Sequence, residues 1–344
     1  MTQTTYRTVD MHTAGEPVRI IVEGYPDLAG GTILEKRRDA LTRFDHIRRA
    51  LILEPRGHAG MYGVIPTTAC RPDADFAVLF AHNEGYSTMC GHATIAIGRW
   101  AVESGRVPSI GGAARFRLET PCGVVPVAVV PQPDGTARVS FESVRCFASH
   151  LGQHVEVPGL GNVGFDIAFG GAYYAILPSS RLGLPLLSTP LAALVDAGTR
   201  ITQAIRGAVA IRHPEEPDLG FLYGTILVDD VPPGRVEPTY NLCIFAEGQI
   251  DRSPTGSGVC ARMALDYACG RIGPGQSREF RGVSGEGFAG AILHAEGNGT
   301  EASVTVQVSG KAHYTGTAAF TVEPEDRLGR GFRLPRTFGT LEIG

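Results

Sequence analysis

Tyr86-Ser87-Thr88-Met89-Cys90-Gly91-His92-Ala93-Thr94-Ile95-Ala96 is a junction between a small polar cluster and an apolar run. The polar residues stop at Met89, and Cys90-Gly91-His92 opens a hydrophobic segment over 95–102. This pattern predicts a loop feeding the N-terminus of a helix that ends near Gly105. A thiol placed there meets unpaired N–H groups and the positive end of the helix dipole, which lower its pKa. The N–H groups of Gly91 and His92 face the same space and suit a carboxylate or a phosphate. A single Cys beside a capping Gly also reads as a buried structural thiol.

The stretch occurs twice, and the second copy favours a site. Asp251-Arg252-Ser253-Pro254-Thr255-Gly256-Ser257-Gly258-Val259-Cys260-Ala261 aligns with it at an offset of 165 residues, the distance from Cys90 to Thr255. Gly256 then falls on Gly91, Ser257 on His92, Ala261 on Ala96 and Gly270 on Gly105. Upstream, Phe245-Ala246 falls on Phe80-Ala81. One offset across strand, loop, helix start and helix end implies a duplicated strand–loop–helix unit, one in each half of the chain. Two lobes pointing equivalent helix N-termini into one cleft would clamp an anion from both sides.

The rest of the composition fits that frame. The 344 residues suggest two lobes, at roughly 150 residues each. With 43% hydrophobic and 19% charged residues the chain is globular rather than disordered. The formal net charge is −4, and the short Lys36-Arg37-Arg38 cluster is followed by Asp39, so a solvated face is expected there and no nucleic-acid partner. Residues 1–11 lack the hydrophobic core of a secretory signal, and no stretch has the length of a membrane span. The seven cysteines are scattered, with no CxxC pair and no zinc spacing. A cytoplasmic protein with free thiols is the expectation.

Strands are expected over 5–9, 18–22, 76–81, 115–119, 124–130 and 137–141, and a helix over 34–51. Asp10 to Pro17 reads as a loop between the first two strands. The first lobe is expected over 1–150 and the second over 151–324, with the tail at ~325–344 packing back on the first. In the second lobe a strand over 165–177 carries Phe169-Gly170-Gly171-Ala172-Tyr173-Tyr174, whose paired Gly marks a bulge or a close backbone approach. A helix over 191–209 and strands over 221–228, 240–246, 289–295, 301–308 and 318–322 complete the pattern.

Met89-Cys90-Gly91-His92 and Asp251-Arg252-Ser253-Pro254-Thr255-Gly256-Ser257-Gly258 resemble the paired signatures of the proline racemase superfamily. Asp10-Met11-His12-Thr13-Ala14-Gly15-Glu16-Pro17 and Phe169-Gly170-Gly171 match two further segments, so the resemblance covers nearly the whole chain. It implies an α/β (α+β) protein of two pseudo-symmetric lobes, the proline racemase / diaminopimelate epimerase-like fold. It also implies a site in the inter-lobe cleft, and neither cofactor nor metal. In the racemases and epimerases both motifs carry Cys, and the two thiols flank the substrate Cα. Here Thr255 stands where the second thiol would be, and a Thr hydroxyl is too weak an acid to exchange a proton with Cα. The Cys/Thr combination resembles the trans-3-hydroxy-L-proline dehydratases of the same superfamily, which remove water to give pyrroline-2-carboxylate.

Stereochemistry supports that implication. In trans-3-hydroxy-L-proline the carboxylate and hydroxyl lie on opposite ring faces, so the Cα hydrogen shares a face with the hydroxyl. One residue on that face can take the proton as base and return it to the departing hydroxyl as acid. Cys90 is the candidate for both steps, His92 competes for the acid role, and Thr255 becomes a hydrogen-bonding wall. The N–H groups of Gly91, His92, Gly256 and Ser257 would hold the carboxylate. The resemblance places Asp251 on the ring nitrogen, while general turn chemistry makes it a loop cap before Ser253-Pro254. His12 and Glu16 offer a supporting layer, although Thr13-Ala14-Gly15 reads equally as a turn. Cys90 and His92 with His82 lack carboxylate partners at zinc spacing. Cys70, Cys122, Cys146, Cys243, Cys260 and Cys269 read as core thiols. The expected partner is a small hydroxyproline-type imino acid, with a homodimer left open. The alternatives are a 4-hydroxyproline epimerase or proline racemase, a thiol hydrolase using Cys90 as nucleophile, and a non-catalytic amino-acid binder.

Overall fold

The computed structural model describes residues 4–230, 238–297 and 299–334. Its strands close into two barrels that share one long strand. The first barrel holds β1 (Thr4–Thr13), β2 (Glu16–Glu23), β3 (Gly63–Thr67), β4 (Phe76–Ala81), β5 (Tyr86–Ser87), β6 (Ala114–Thr120), β7 (Gly123–Pro131) and β8 (Ala137–Glu142). The second holds β9 (Cys146–Val157), β10 (Gly161–Phe169), β11 (Tyr173–Pro178), β12 (Leu222–Val228), β13 (Thr239–Phe245), β14 (Gln249–Ile250), β15 (Ser277–Arg281) and β16 (Gly287–Glu296). The shared strand is β17 (Ser303–Val322).

Around the first ring the neighbours run β1, β2, β3, β4, β6, β7, β8, β17 and back to β1. Around the second they run β10, β11, β12, β13, β15, β16, β17, β9 and back to β10. The two parallel pairs fall at matching places, β2–β3 and β4–β6 in one ring, β11–β12 and β13–β15 in the other. The duplication read from the 165-residue offset therefore extends through the sheet. Closure leaves neither ring a free edge.

Each barrel is filled by one helix. Of the helices, α1 (Ile33–Arg43), α2 (Asp45–Ile52) and α4 (Leu191–Ala208) lie outside, while α3 (Gly91–Glu103) and α5 (Gly256–Ala268) pack against strands of their own rings. From Gly91 to Ala101 all of α3 but Arg99 is buried, and so is α5 from Gly256 to Asp266. A helix buried on nearly every side belongs inside a core, which explains the mostly apolar run after each site motif, broken by Arg99 in α3 and by the buried Arg262 and Asp266 in α5. Residues of both helices fall in one core cluster with Phe141, Phe280 and Phe288. No helix among the described residues is long and apolar enough to cross a membrane.

The structure departs from the sequence reading in several places. The single helix expected over 34–51 is two, because Phe44 leaves helical geometry at φ −126° and Asp45 starts the second. Phe44 sets its ring against Tyr25 instead. The loop expected over 10–17 is mostly strand: β1 and β2 run through it and turn only at Ala14-Gly15, both at positive φ. Gly170-Gly171 forms the turn between β10 and β11, and the expected close approach is present. A Cβ on Gly170 would fall 2.1 Å from the Ser257 carbonyl oxygen. The two last strands are one, β17, whose C-terminal half pairs with β1. Of the tail, Phe332 donates its N–H to Glu54 at 2.9 Å and the Arg56 guanidinium binds the Gly329 carbonyl at 3.1 Å. Residues 335–344 lie outside the described residues.

Candidate active site

The N-termini of α3 and α5 meet between the barrels. A Cβ added to Gly91 would lie 2.5 Å from Cα of Gly256, and one added to Gly256 would lie 2.7 Å from Cα of Gly91. Only glycine at both positions lets the two helix ends approach this closely, with both sets of free N–H groups aimed at one space. That space is lined by Cys90, Gly91, His92 and Met89 from one lobe and by Asp251, Thr255, Gly256 and Ser257 from the other. Tyr62, Tyr174, Tyr223 and Phe245 wall it. The cleft is nearly closed, with a cavity of about 10 Å³.

Cys90 is the N-cap of α3, in extended geometry at φ −148°, and its Sγ accepts from the Ala93 N–H at 3.4 Å. The His92 Nδ1 stands 3.1 Å from the same sulfur. Burial pushes the thiol well above its ordinary value, and the Ala93 N–H only partly opposes this. The lowering expected from the helix terminus is therefore outweighed: excluding water costs the thiolate more than one N–H returns. Burial also holds the His92 imidazole below its ordinary value, so it is neutral near pH 7. Its backbone carbonyl is fixed by the Thr13 hydroxyl at 2.9 Å.

Asp251 makes the loop-capping bond weighed from sequence and turns its second oxygen toward the cleft. Its Oδ1 accepts from the Ser253 N–H at 2.8 Å, which caps the loop, while Oδ2 lies 3.7 Å from His92 Nδ1. Thr255 is the N-cap of α5, at the position equivalent to Cys90, but its φ is +63°. Its buried hydroxyl has no oxygen or nitrogen partner and makes only a weak contact with the Cys243 thiol. The Ser257 hydroxyl is paired with the Tyr174 phenol at 2.7 Å.

Other groups were read from the sequence only as a supporting layer or as core thiols, or not at all. Glu16 is fully buried behind the Asp251 loop. Its Oε2 accepts from the Arg252 N–H at 2.7 Å, its Oε1 is unpaired, and burial followed by the charge of Asp251 pushes its carboxyl well up. Tyr62 hydrogen-bonds Ser87, lays its ring edgewise on His92 with centroids 4.8 Å apart, and bears on the Cys90 thiol. Cys243, read as a core thiol, is buried but lines the cleft. Only the aromatic content of Phe169 to Tyr174 hinted at Tyr174, and nothing local marked Tyr62. His12 stays outside, stacked on His313 at 5.3 Å. His82 is pushed down to about 3, chiefly by burial, and sits against Tyr223 and Phe245. Among the described residues no three metal-ligating side chains cluster.

Two lobes with paired helix N-termini around a buried thiol define the class, and sequence comparison agrees. The model of the family described as Proline racemase matches residues 8–333, and the chain belongs to that family. It is 47% identical over 332 residues to the trans-3-hydroxy-L-proline dehydratase of Homo sapiens, covering 95% of this chain and 94% of that one. It is 42% identical over 330 residues to the trans-3-hydroxy-L-proline dehydratase of Colwellia psychrerythraea, covering 96% and 93%. A crystal structure of a hydroxyproline epimerase from Agrobacterium vitis, with bound trans-4-hydroxy-L-proline, shares the fold. Its TM-score is 0.88 over 98% of both chains, at 24% identity.

Proposed function

We propose that this protein is a trans-3-hydroxy-L-proline dehydratase that removes water across Cα–Cβ to give pyrroline-2-carboxylate. The observation that carries the reading is the pair of helix N-caps, a thiol at Cys90 and a threonine at Thr255. Two-base racemisation needs an acid–base group on each face of Cα, and this pair supplies one. Elimination from the trans isomer needs one, because the Cα hydrogen and the hydroxyl share a face.

In this reading the N–H groups of Gly91, His92, Gly256 and Ser257 hold the substrate carboxylate and stabilise the charge that develops at Cα. The free Oδ2 of Asp251 meets the ring ammonium. Neutral His92 accepts a hydrogen bond from the thiol at 3.1 Å, and the cationic ring nitrogen of the bound substrate favours the thiolate, whose proton leaves to solvent as substrate enters. Cys90 abstracts the Cα proton, and the hydroxyl leaves protonated from the same face. No cofactor has a role in these steps. All seven cysteines are free, which suits the reducing cytoplasm in which we place the protein.

The test is incubation with trans-3-hydroxy-L-proline and trapping of the cyclic imine by an aromatic aminoaldehyde. Adduct formation, without an epimer on chiral chromatography, is the expected result. Epimer without adduct would reinstate the epimerase, and a covalent acyl-enzyme in the mass spectrum would reinstate the thiol hydrolase.

A further inference from the structure

Tyr62 has no part in the roles above, yet it touches both groups that do. It is 2% exposed, just ahead of β3, and its carbonyl is pinned by the Arg19 N–H at 2.8 Å. A phenylalanine would fill the same volume without the cost of burying a hydroxyl. Here that hydroxyl is paired with Ser87 of β5 and bears on the Cys90 thiol.

Syn elimination sets a geometric problem that Cys90 alone solves poorly. Its sulfur must take the hydrogen at Cα while the oxygen on the next carbon needs a proton. His92 does not supply one. A neutral imidazole has a single N–H, and that of His92 is donated to the Pro17 carbonyl, so its other nitrogen is an acceptor. An O–H donor that does bear on the thiol is the Tyr62 phenol, which lines the same cleft.

We propose that Tyr62 is the acid that protonates the departing 3-hydroxyl, and that the Cys90 thiol then restores its proton. The inference rests on the dehydratase reading. The Cα–H bond breaks with its proton going to Sγ, and its electron pair becomes the ring double bond. The C–O bond breaks with its pair on oxygen, which takes the phenol proton and leaves as water. The new S–H proton passes to the phenol oxygen, so thiolate and phenol are both regenerated and nothing is drawn from solvent. Burial keeps the phenol protonated until that moment, and Ser87 holds it in place.

The experiment compares wild type with Tyr62→Phe on trans-3-hydroxy-L-proline and on trans-3-chloro-L-proline, whose chloride leaves without a proton. Expected is a fall in kcat of roughly 10²–10⁴-fold for the hydroxyl substrate. Binding of pyrrole-2-carboxylate should stay unchanged, while chloride elimination and iodoacetamide alkylation of Cys90 should slow together and only modestly, because the phenol also favours the Cys90 thiolate. Ser87→Ala, which leaves Tyr62 intact, should give a smaller loss confined to the hydroxyl substrate. Equal losses for both leaving groups, or loss of pyrrole-2-carboxylate binding, would make Tyr62 a positioning residue and overturn the proposal. So would full activity of Tyr62→Phe. A wild-type enzyme inert on trans-3-hydroxy-L-proline would overturn the dehydratase reading itself, and the proposal with it.

Discussion

Replacing Thr255 by glycine should make the ligand-free protein more stable, although the residue sits in the site. The threonine is held at φ +63° and ψ +95°, and for a β-branched residue that region is a true outlier. The left-handed region costs an ordinary L-residue about 1–2 kcal/mol, and glycine almost nothing. The buried hydroxyl has only the weak Cys243 thiol as a partner, which adds about 1 kcal/mol. Against this stand about 0.5–1 kcal/mol for the extra freedom of glycine and about 0.8 kcal/mol for the lost methyl burial. The balance favours the variant by about 1 kcal/mol. Equilibrium urea unfolding of wild type, Thr255→Gly and Thr255→Ala measures it, the alanine variant separating the hydroxyl from the backbone. KM should rise and kcat change little, since Thr255 moves no proton. A glycine variant less stable than wild type by about 1 kcal/mol or more would refute the argument. The strain would then be absent, or the hydroxyl satisfied. A site that stores strain at the expense of stability is a familiar compromise.

Cys90→Ser should abolish dehydration while pyrrole-2-carboxylate still binds, because a serine hydroxyl cannot act as the base near neutral pH; turnover and a binding isotherm decide it. Glu16 gives a pH signature. A carboxyl whose folded-state pKa is raised stabilises the fold most below its unfolded value of about 4.3, and that contribution is lost as pH rises through the raised value. Relative to Glu16→Gln, which stays neutral, wild type should therefore lose stability as pH rises over that window. Urea midpoints at stepped pH measure this, and a flat difference contradicts it. Thr255→Cys supplies a thiol to the second face, so slow epimerisation of hydroxyprolines should appear on chiral chromatography as dehydration falls.

What the sequence disclosed and what it hid follow from the range of the interactions. The helix starts at Gly91 and Gly256 were legible because capping, apolar run and terminating Gly lie within one short window. Their meeting was implied by the repeat alone. Tyr62 was hidden, and Glu16 was read only as a supporting residue, because strand pairing and loop packing bring them to the cleft. Glu16 reaches Arg252 across 236 residues of chain, and no local pattern encodes that. Tyr62 precedes β3, which pairs with β4, which pairs with β5, and this register delivers its phenol to Ser87. The stretch from Asp10 to Pro17 looked like a loop because His12, Thr13 and Glu16 interrupt the strand pattern. Thr13 and Glu16 are polar because they serve buried partners on the cleft side, His92 and Arg252, so tertiary demand overrode local preference.

Barrel closure was hidden for the same reason, and it bears on how the site works. β17 is a wall of both rings, pairing with β16, β9 and β8 in its first half and with β1 in its second. The lobes are thus joined by continuous backbone hydrogen bonding on one side, and the helix ends face each other across the cleft. Duplication gives that cleft two equivalent sets of N–H groups, enough to grip a carboxylate from both sides, but the two N-caps have diverged in backbone as well as side chain. Cys90 is extended and its sulfur accepts an N–H of its own helix, whereas Thr255 is left-handed and makes no cap bond. A cysteine at 255 that kept the backbone of Thr255 would lack the N–H that steadies the Cys90 thiolate. Its pKa would then be set by burial with less relief, which is why the epimerase expected of Thr255→Cys should be a slow one.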